Sequence, residues 1–286
     1  MEETEEDALR ASVFQRLRPR AYLERFVAES IRPDGREFDT WRDVSVNVGS
    51  VSTANGSSLV RIGNTTVVCG VKAEIAEPDL DSPKDGFLVP NVDLPAICSP
   101  KFKPGPPTDE AQVLSERLNS TLTLSNILPL SSLCIQEGKA VWALYVDATC
   151  INHDGNAFDA ALIAMVAALR NTKLPKPRYY EDTKQTICSR SETMPLLLGS
   201  SLPLSMTFGI FNNQHILADP TAFEEPLLDT TVCITMSATG RLISVNQSGL
   251  GLLPGQAPAG QDDPVQLCLA AARKRQEFLA QYIYNS

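Results

Sequence analysis

His153-Asp154-Gly155-Asn156-Ala157-Phe158-Asp159 runs directly into the apolar stretch Ala160 to Leu169. A polar glycine turn opening a buried helix can hold a phosphate, because its free backbone N–H groups and the helix dipole both favour an anion. Here the turn contains no lysine or arginine, and Asp154 and Asp159 already place two carboxylates at the helix start. They suit the dipole and repel an incoming phosphate, so the local chemistry reads as a capped scaffold rather than an anion site. A second acidic group, Asp219, Glu224 and Glu225, follows an expected strand. Carboxylates so placed could hold Mg²⁺ or act as general acid and base. Asp-Pro-Thr is equally an ordinary turn opening, and adjacent loop glutamates are commonly solvated. Lys101 and Lys103 flank Phe102 in a basic-aromatic knot that could grip a single-stranded backbone with Phe102 as a stacking face. The plainer alternative is a loop tip kept soluble by charge. No G-x-x-x-x-G-K-[ST], H-E-x-x-H or nucleophile motif occurs.

The elements that must position these groups follow from periodicity. Phe14 to Ser30 has helical spacing interrupted near Pro19, and the five acidic residues between Glu2 and Asp7 read as a solvated tail. Trp41 to Val48, Ser57 to Ile62 and Thr65 to Ile75 are β-rich and separated by hairpin turns, which implies an antiparallel meander. Pro78 to Pro107 holds eight of the 20 prolines, an irregular excursion with one extended piece at Phe87 to Leu94. Thr108 can cap a helix running to about Leu124, with Asp109 and Glu110 in its first turn. Val141 to Ile151 reads as a buried strand, and Ala157 to Arg170 as a helix buried on most sides. After a Pro- and Lys-rich linker, strands are expected at Ser205 to Phe211, His215 to Ala218, Val232 to Ser237 and Leu242 to Asn246. A Gly/Pro loop, Gly249 to Gly260, precedes a terminal helix from about Asp263 to Ile283. The expected fold class is α+β, with two β-meander-plus-helix halves packed together. The boundaries are 1–30 for the acidic tail and first helix, 31–172 for the first half, 173–193 for a linker and 194–286 for the second half.

With 286 residues the chain can bury a full core. A net charge of -9 removes whole-molecule attraction to nucleic acid, so any RNA contact must come from a local patch. The seven cysteines never form a C-x-x-C pair and only two histidines could join them, so no metal site and no cofactor is expected. Scattered thiols in apolar runs point to a reducing compartment. No signal peptide is apparent, and no apolar run reaches the roughly 20 residues of a membrane span.

Arg32-Pro33-Asp34-Gly35-Arg36, the stretch Gly49 to Val60 and Gly63-Asn64-Thr65-Thr66-Val67-Val68-Cys69-Gly70-Val71-Lys72-Ala73-Glu74 strongly resemble the RNase PH family. Val89 to Pro95, Gly105-Pro106-Pro107, His153-Asp154-Gly155-Asn156 with Asp159-Ala160, and Asp219-Pro220-Thr221 with Glu224-Glu225 look like the non-catalytic ring subunits of the eukaryotic RNA exosome, component-eight type. The resemblance implies an RNase PH-like fold and a heterodimer with an RNase PH-like partner. It further implies a place in a hexameric ring beneath RNA-binding-domain cap subunits, a processive ribonuclease associated with the ring, and single-stranded RNA in the channel. Catalytic members place Gly-Thr-Arg or Gly-Ser-Arg at the start of the buried helix, where this chain has Asn156-Ala157-Phe158. A bidentate phosphate ligand is not replaced by an aromatic ring. RNA-facing arginines of active relatives fall on Glu116 and Asn119, leaving Arg117 on a neighbouring register. Asp219 falls on the first family aspartate and Glu225 on the second. The implied function is a catalytically inactive ring subunit of nucleus, nucleolus and cytoplasm, with Asp219 and Glu225 as remnants and Lys101, Lys103 and Arg117 towards RNA. The rival is a phosphate-dependent exoribonuclease using Asp219 and Glu225. A weaker third reading is an RNA-binding module acting outside any ring.

Overall fold

A proline lacks the N–H a helix interior needs, and Pro19 divides the N-terminal helical stretch into α1 (Glu2–Leu17) and α2 (Pro19–Ala28). The computed structural model describes residues 2–181, 183, 185–199, 201–250 and 264–285. The acidic start is therefore helical and not a loose tail, since carboxylates at a helix N-terminus complement the dipole. On α2, Leu23 and Val27 lie one turn apart and are buried against Phe211 and Leu217, which pins the N-terminal segment to the second half of the chain.

The first sheet begins as expected, with β1 (Val44–Val48), β2 (Gly56–Ile62) and β3 (Thr65–Ala76) paired antiparallel in sequence. It then departs from a meander. β4 (Phe87–Asp93) is an edge strand lying parallel to a later one. Between them the chain forms α3 (Asp109–Ser125) and β5 (Cys134–Gln136) before β6 (Ala140–Asn152), giving the order β1-β2-β3-β6-β4. A parallel pair needs a crossover of a dozen or more residues, and the Pro-rich excursion with α3 supplies it. Thr108 caps α3 as expected, its hydroxyl accepting from the Ala111 amide at 3.3 Å.

Helix α4 (Ala157–Asn171) is buried from Ala157 to Leu169 and packs on β2, β3 and the second sheet. Its alanines let β2 approach the helix closely: the Ser58 hydroxyl donates to the Ala164 carbonyl at 2.7 Å. Residues 173–193, expected as a linker, instead form most of a two-stranded antiparallel ribbon, β7 (Lys173–Tyr180) and β8 (Gln185–Pro195). Leu174 is buried at its base, and Lys139 sits 5.2 Å from the Tyr179 ring centroid, so the ribbon leans on the first sheet.

The second sheet contains β9 (Pro203–Phe211), β10 (His215–Ala218), β11 (Thr230–Ser237) and β12 (Leu242–Gly249), all antiparallel in the order β10-β9-β11-β12. This too is not a simple meander, because fully buried β9 pairs on both sides. The Asn212-Asn213 turn has φ of 52° and 53°, the left-handed pair a tight hairpin needs. Helix α5 (Pro264–Asn285) covers β9 and β11. Most of the expected Gly249 to Gly260 loop and the Asp263 start of the last helix lie outside the described residues. The α+β class expected from the sequence is the one observed, with α4 inside a core shared by both sheets.

Candidate functional site

The turn between β6 and α4 meets the loop after β10, and the segment from Arg32 to Arg42 wraps both. Gly155 (φ +77°) and Asn156 (φ +54°) both take left-handed backbone, which brings the turn against residues 220–222. Asp219 is left-handed as well (φ +51°) and 1% exposed. Three arginines hold it. Arg42 donates through Nε to Oδ2 and through Nη2 to Oδ1, each at 2.7 Å, a bidentate pair. Arg32 donates to the Ala218 carbonyl at 2.6 Å and the Asp219 carbonyl at 3.1 Å, and Arg36 reaches the same Asp219 carbonyl at 3.2 Å. The remainder of the buried Arg32 guanidinium is paired with the Glu224 carboxylate, whose Oε2 also accepts from the Thr221 amide and hydroxyl.

Asn156 joins the acidic groups. Its Nδ2 donates to Asp219 Oδ1 at 2.7 Å and to Asp159 Oδ2 at 2.8 Å, and its backbone N–H donates to Glu225 Oε1 at 2.7 Å. Asp159 accepts further bonds from the Thr207 amide and hydroxyl at 2.9 and 3.0 Å. Burial works to raise the Asp219 carboxyl, but the hydrogen bonds and charge of Arg42, with Asn156 adding a donor, outweigh it and hold the group below the ordinary aspartate range. The opposite holds at Glu225, where burial pushes the carboxyl up against the opposing Asn156 amide, and the charge of Glu110 adds to the rise. Burial also pushes Asp159 up, with the Asp219 charge reinforcing it.

These directions set opposite pH behaviour. Asp219, depressed in the folded state, contributes stability above its unfolded pKa of 3.8 that is lost as pH falls through its folded value. Glu225, raised above 4.5, disfavours the folded state once pH climbs past that value. Glu225→Gln keeps an acceptor for the Asn156 amide, so it is expected to raise the melting temperature at pH 7 by about 2–4 °C and to change little at pH 4. Equal shifts at both pH values would contradict this.

A cleft of about 620 Å³ opens between α3, the start of α4 and β12. Glu225 and Asn156 line it and Asp219 does not, so the two carboxylates are divided between the cleft and the interior behind Asn156. Phe158 forms one wall, 5% exposed, with the Arg117 guanidinium 4.3 Å over its ring centroid. Arg117 therefore faces the cleft, whereas Glu116 and Asn119 line a separate groove beside β4. Cys233, also on the cleft wall, has its thiol pushed up to about 12 by burial, which removes it as a nucleophile.

The basic-aromatic knot is not what the sequence suggested. Phe102 is 5% exposed and stacks edge-on against His153 at 5.6 Å, so it belongs to the core and offers no face to a base. The Lys101 ammonium is bound to Glu110 at 2.6 Å. Lys103 remains exposed. The turn itself contains no lysine or arginine, as expected, but Arg42 donates to the Asp154 carbonyl at 2.6 Å and brings a positive charge to it from a distant segment. Sequence reading assigned no role to Arg32, Arg36, Arg42 or Arg275. The available signal was chemical: carboxylates in apolar surroundings need buried cations. Among the described residues no three His, Cys, Asp or Glu side chains group to hold a metal ion, and no helix is long and apolar enough to cross a membrane.

A core helix enclosed by two antiparallel-rich sheets, with an acidic loop clamped at that helix start, defines an RNase PH-like subunit. Family models agree: 3′ exoribonuclease family domain 1 matches residues 40–175 and domain 2 matches residues 201–256, and the chain belongs to this family. It is 42% identical to exosome complex component Rrp43 of Schizosaccharomyces pombe across 83% of this chain and 87% of that protein. It is 38% identical to exosome complex component Rrp42 of Methanopyrus kandleri across 78% of this chain and 82% of that protein. Among solved structures, an Archaeoglobus fulgidus exosome with RNA bound to the active site superposes with a TM-score of 0.79 at 32% identity, covering 92% of this chain and 96% of the other.

Proposed function

We propose that this chain is a catalytically inactive subunit of a hexameric RNase PH-like ring in an RNA exosome. It supports 3′-to-5′ RNA processing and degradation, including rRNA maturation and mRNA turnover, by shaping the channel and holding its neighbours. Those neighbours are an RNase PH-like partner forming a heterodimer, further ring subunits, RNA-binding-domain caps and an associated processive ribonuclease, working in nucleus, nucleolus and cytoplasm. Near full-length likeness to exosome components supports the assembly.

The observation that carries the inactivity is the state of Asp219: its carboxylate is consumed by Arg42 and Asn156, and it lies outside the cleft that Glu225 faces. A general acid or base must reach the reacting atom within hydrogen-bond distance. At the helix start Phe158 stands where the resemblance places a phosphate ligand, and Arg117 is spread over its ring. Arg117 has a solvent-facing side in the cleft and is the cation best placed to meet a phosphodiester. Lys103 remains a candidate on exposure alone, and Lys101 is weakened as one by its bond to Glu110.

The test is phosphate-dependent degradation of single-stranded RNA by the chain alone and in a ring reconstituted with its partner subunits. The wild type is expected to release no nucleoside diphosphate in either state. Phe158→Arg should also stay inactive, because the new guanidinium would face Arg117 and Asp219 would remain clamped. Arg117→Ala in the ring is expected to weaken RNA binding and to reduce the salt slope by about one. Phosphorolysis by the wild type that disappears with Glu225→Gln would overturn the inactive reading in favour of the exoribonuclease.

A further inference from the structure

Behind Asn156, away from the cleft, a second cavity leaves about 10 Å³ for the centre of a water molecule. Three polar atoms without a hydrogen-bond partner belong to residues that line it: Asn156 Oδ1, Ser205 Oγ and Arg275 Nε. Asn156 and Ser205 are 4% and 1% exposed, so bulk solvent does not satisfy them. The Asn156 amide cannot be reversed to help, because its Nδ2 already donates to both Asp159 and Asp219. Ser205 Oγ lies close enough to the Asp159 carboxylate for its hydroxyl to lower that group, and its lone pairs have no donor. Arg275 comes from α5, with its guanidinium 5.2 Å from the Trp41 ring centroid and Nη2 donating at 3.4 Å to the Arg42 carbonyl. Trp41, Val44, Ile62, Ile163 and Leu279 close the apolar sides.

The chemistry selects the occupant. Arg275 Nε is a donor and needs an acceptor, which a metal cation or ammonium ion cannot provide. Asn156 Oδ1 is an acceptor and needs a donor, which a bare anion cannot provide, and the room excludes anything larger than one small molecule. The two carboxylates that line the cavity, Asp219 and Asp159, are matched by Arg42, which pairs with Asp219, and by Arg275, which feels the charge of both, so no net negative charge calls for a counter-ion. We propose that this cavity is a binding site for one ordered water, accepting from Arg275 Nε and donating to Asn156 Oδ1 and Ser205 Oγ, and so bridging α5 to the acidic remnant. The bridge makes the C-terminal helix part of the polar network around Asp219. It does not depend on the ring reading.

A crystal structure of the full chain at better than about 2 Å resolution should show one density peak about 2.8 Å from all three atoms. Ser205→Val fills the space with methyl groups and is expected to abolish the peak and to speed amide exchange in α5 by about tenfold. Ser205→Ala preserves the room and two partners, so the peak should persist; it also serves if the valine variant fails to fold. Arg275 Nε donating directly to a protein acceptor with no peak present would overturn the proposal. A peak at about 2.4 Å from several oxygens, the signature of a cation, would do the same.

Discussion

Arg32→Ala is expected to cost about 3–5 kcal/mol of folding stability, the range for breaking a buried ion pair by removing one partner. The side chains of Arg32 and Glu224 are 0% and 1% exposed, and the guanidinium also serves the carbonyls of Ala218 and Asp219. Alanine would strand the Glu224 carboxylate away from water, remove the Arg32 donor from the Ala218 carbonyl and leave the Asp219 carbonyl to Arg36. Only the two Thr221 donors would remain to Glu224. The expected result in urea denaturation is a midpoint shift far larger than for Arg36→Ala, since Arg36 is partly exposed and its strongest partner, Asp34, is a near neighbour in sequence. The double variant Arg32→Met, Glu224→Leu should recover much of the loss, because no isolated charge is then buried. A single-variant cost below about 1 kcal/mol would show that water reaches Glu224 and that the segment from Arg32 to Arg42 does not hold the acidic loop.

What the sequence disclosed and what it withheld divide along one physical line. Features fixed by neighbouring residues were legible. Thr108 caps α3 three residues before the amide it binds, Pro19 breaks the first helix, and the all-apolar run after Asp159 became the buried helix at the centre of the core. Features fixed by contacts distant in the chain were not. Arg42 and Asp219 are 177 residues apart, and nothing local to either shows that they pair. Phe102 sits among lysines and prolines that mark a surface loop, yet its ring is drawn inward by His153 from beyond β6. β4 reads as an extended piece, but only the path through α3 makes it a parallel edge strand. In the candidate site, alignment on a family pattern placed Asp219 and Glu225 side by side in role. Their partners separated them, one neutralised in the interior and one facing the cleft.

Gly155→Ala should be the most damaging single methyl group in the site. A Cβ built on Gly155 would lie 2.5 Å from the Ala222 nitrogen, 2.5 Å from the Thr221 carbonyl carbon and 2.7 Å from the Pro220 oxygen. All three are backbone atoms, so no side chain can rotate aside, and the residue also needs φ of +77°, which L side chains rarely adopt. Overpacking and left-handed strain together are expected to cost about 2–5 kcal/mol. Gly138 supplies the control: its φ is +69°, but a Cβ there meets nothing within 4 Å, so Gly138→Ala should carry only the backbone term of about 1–2 kcal/mol. Comparable losses in thermal denaturation would mean that the 220–222 loop yields freely. A much larger loss at Gly155 would mean that it cannot. If the loop is forced outward, the carboxylates of Asp219 and Glu225 move away from Asn156, and the two bonds that Asn156 makes to that loop are lost together, leaving Asp159 and Thr207 to join the α4 start to the second half. The acidic loop then acts as a joint between the two halves, and the requirement for glycine at 155 is set by how tightly that joint closes.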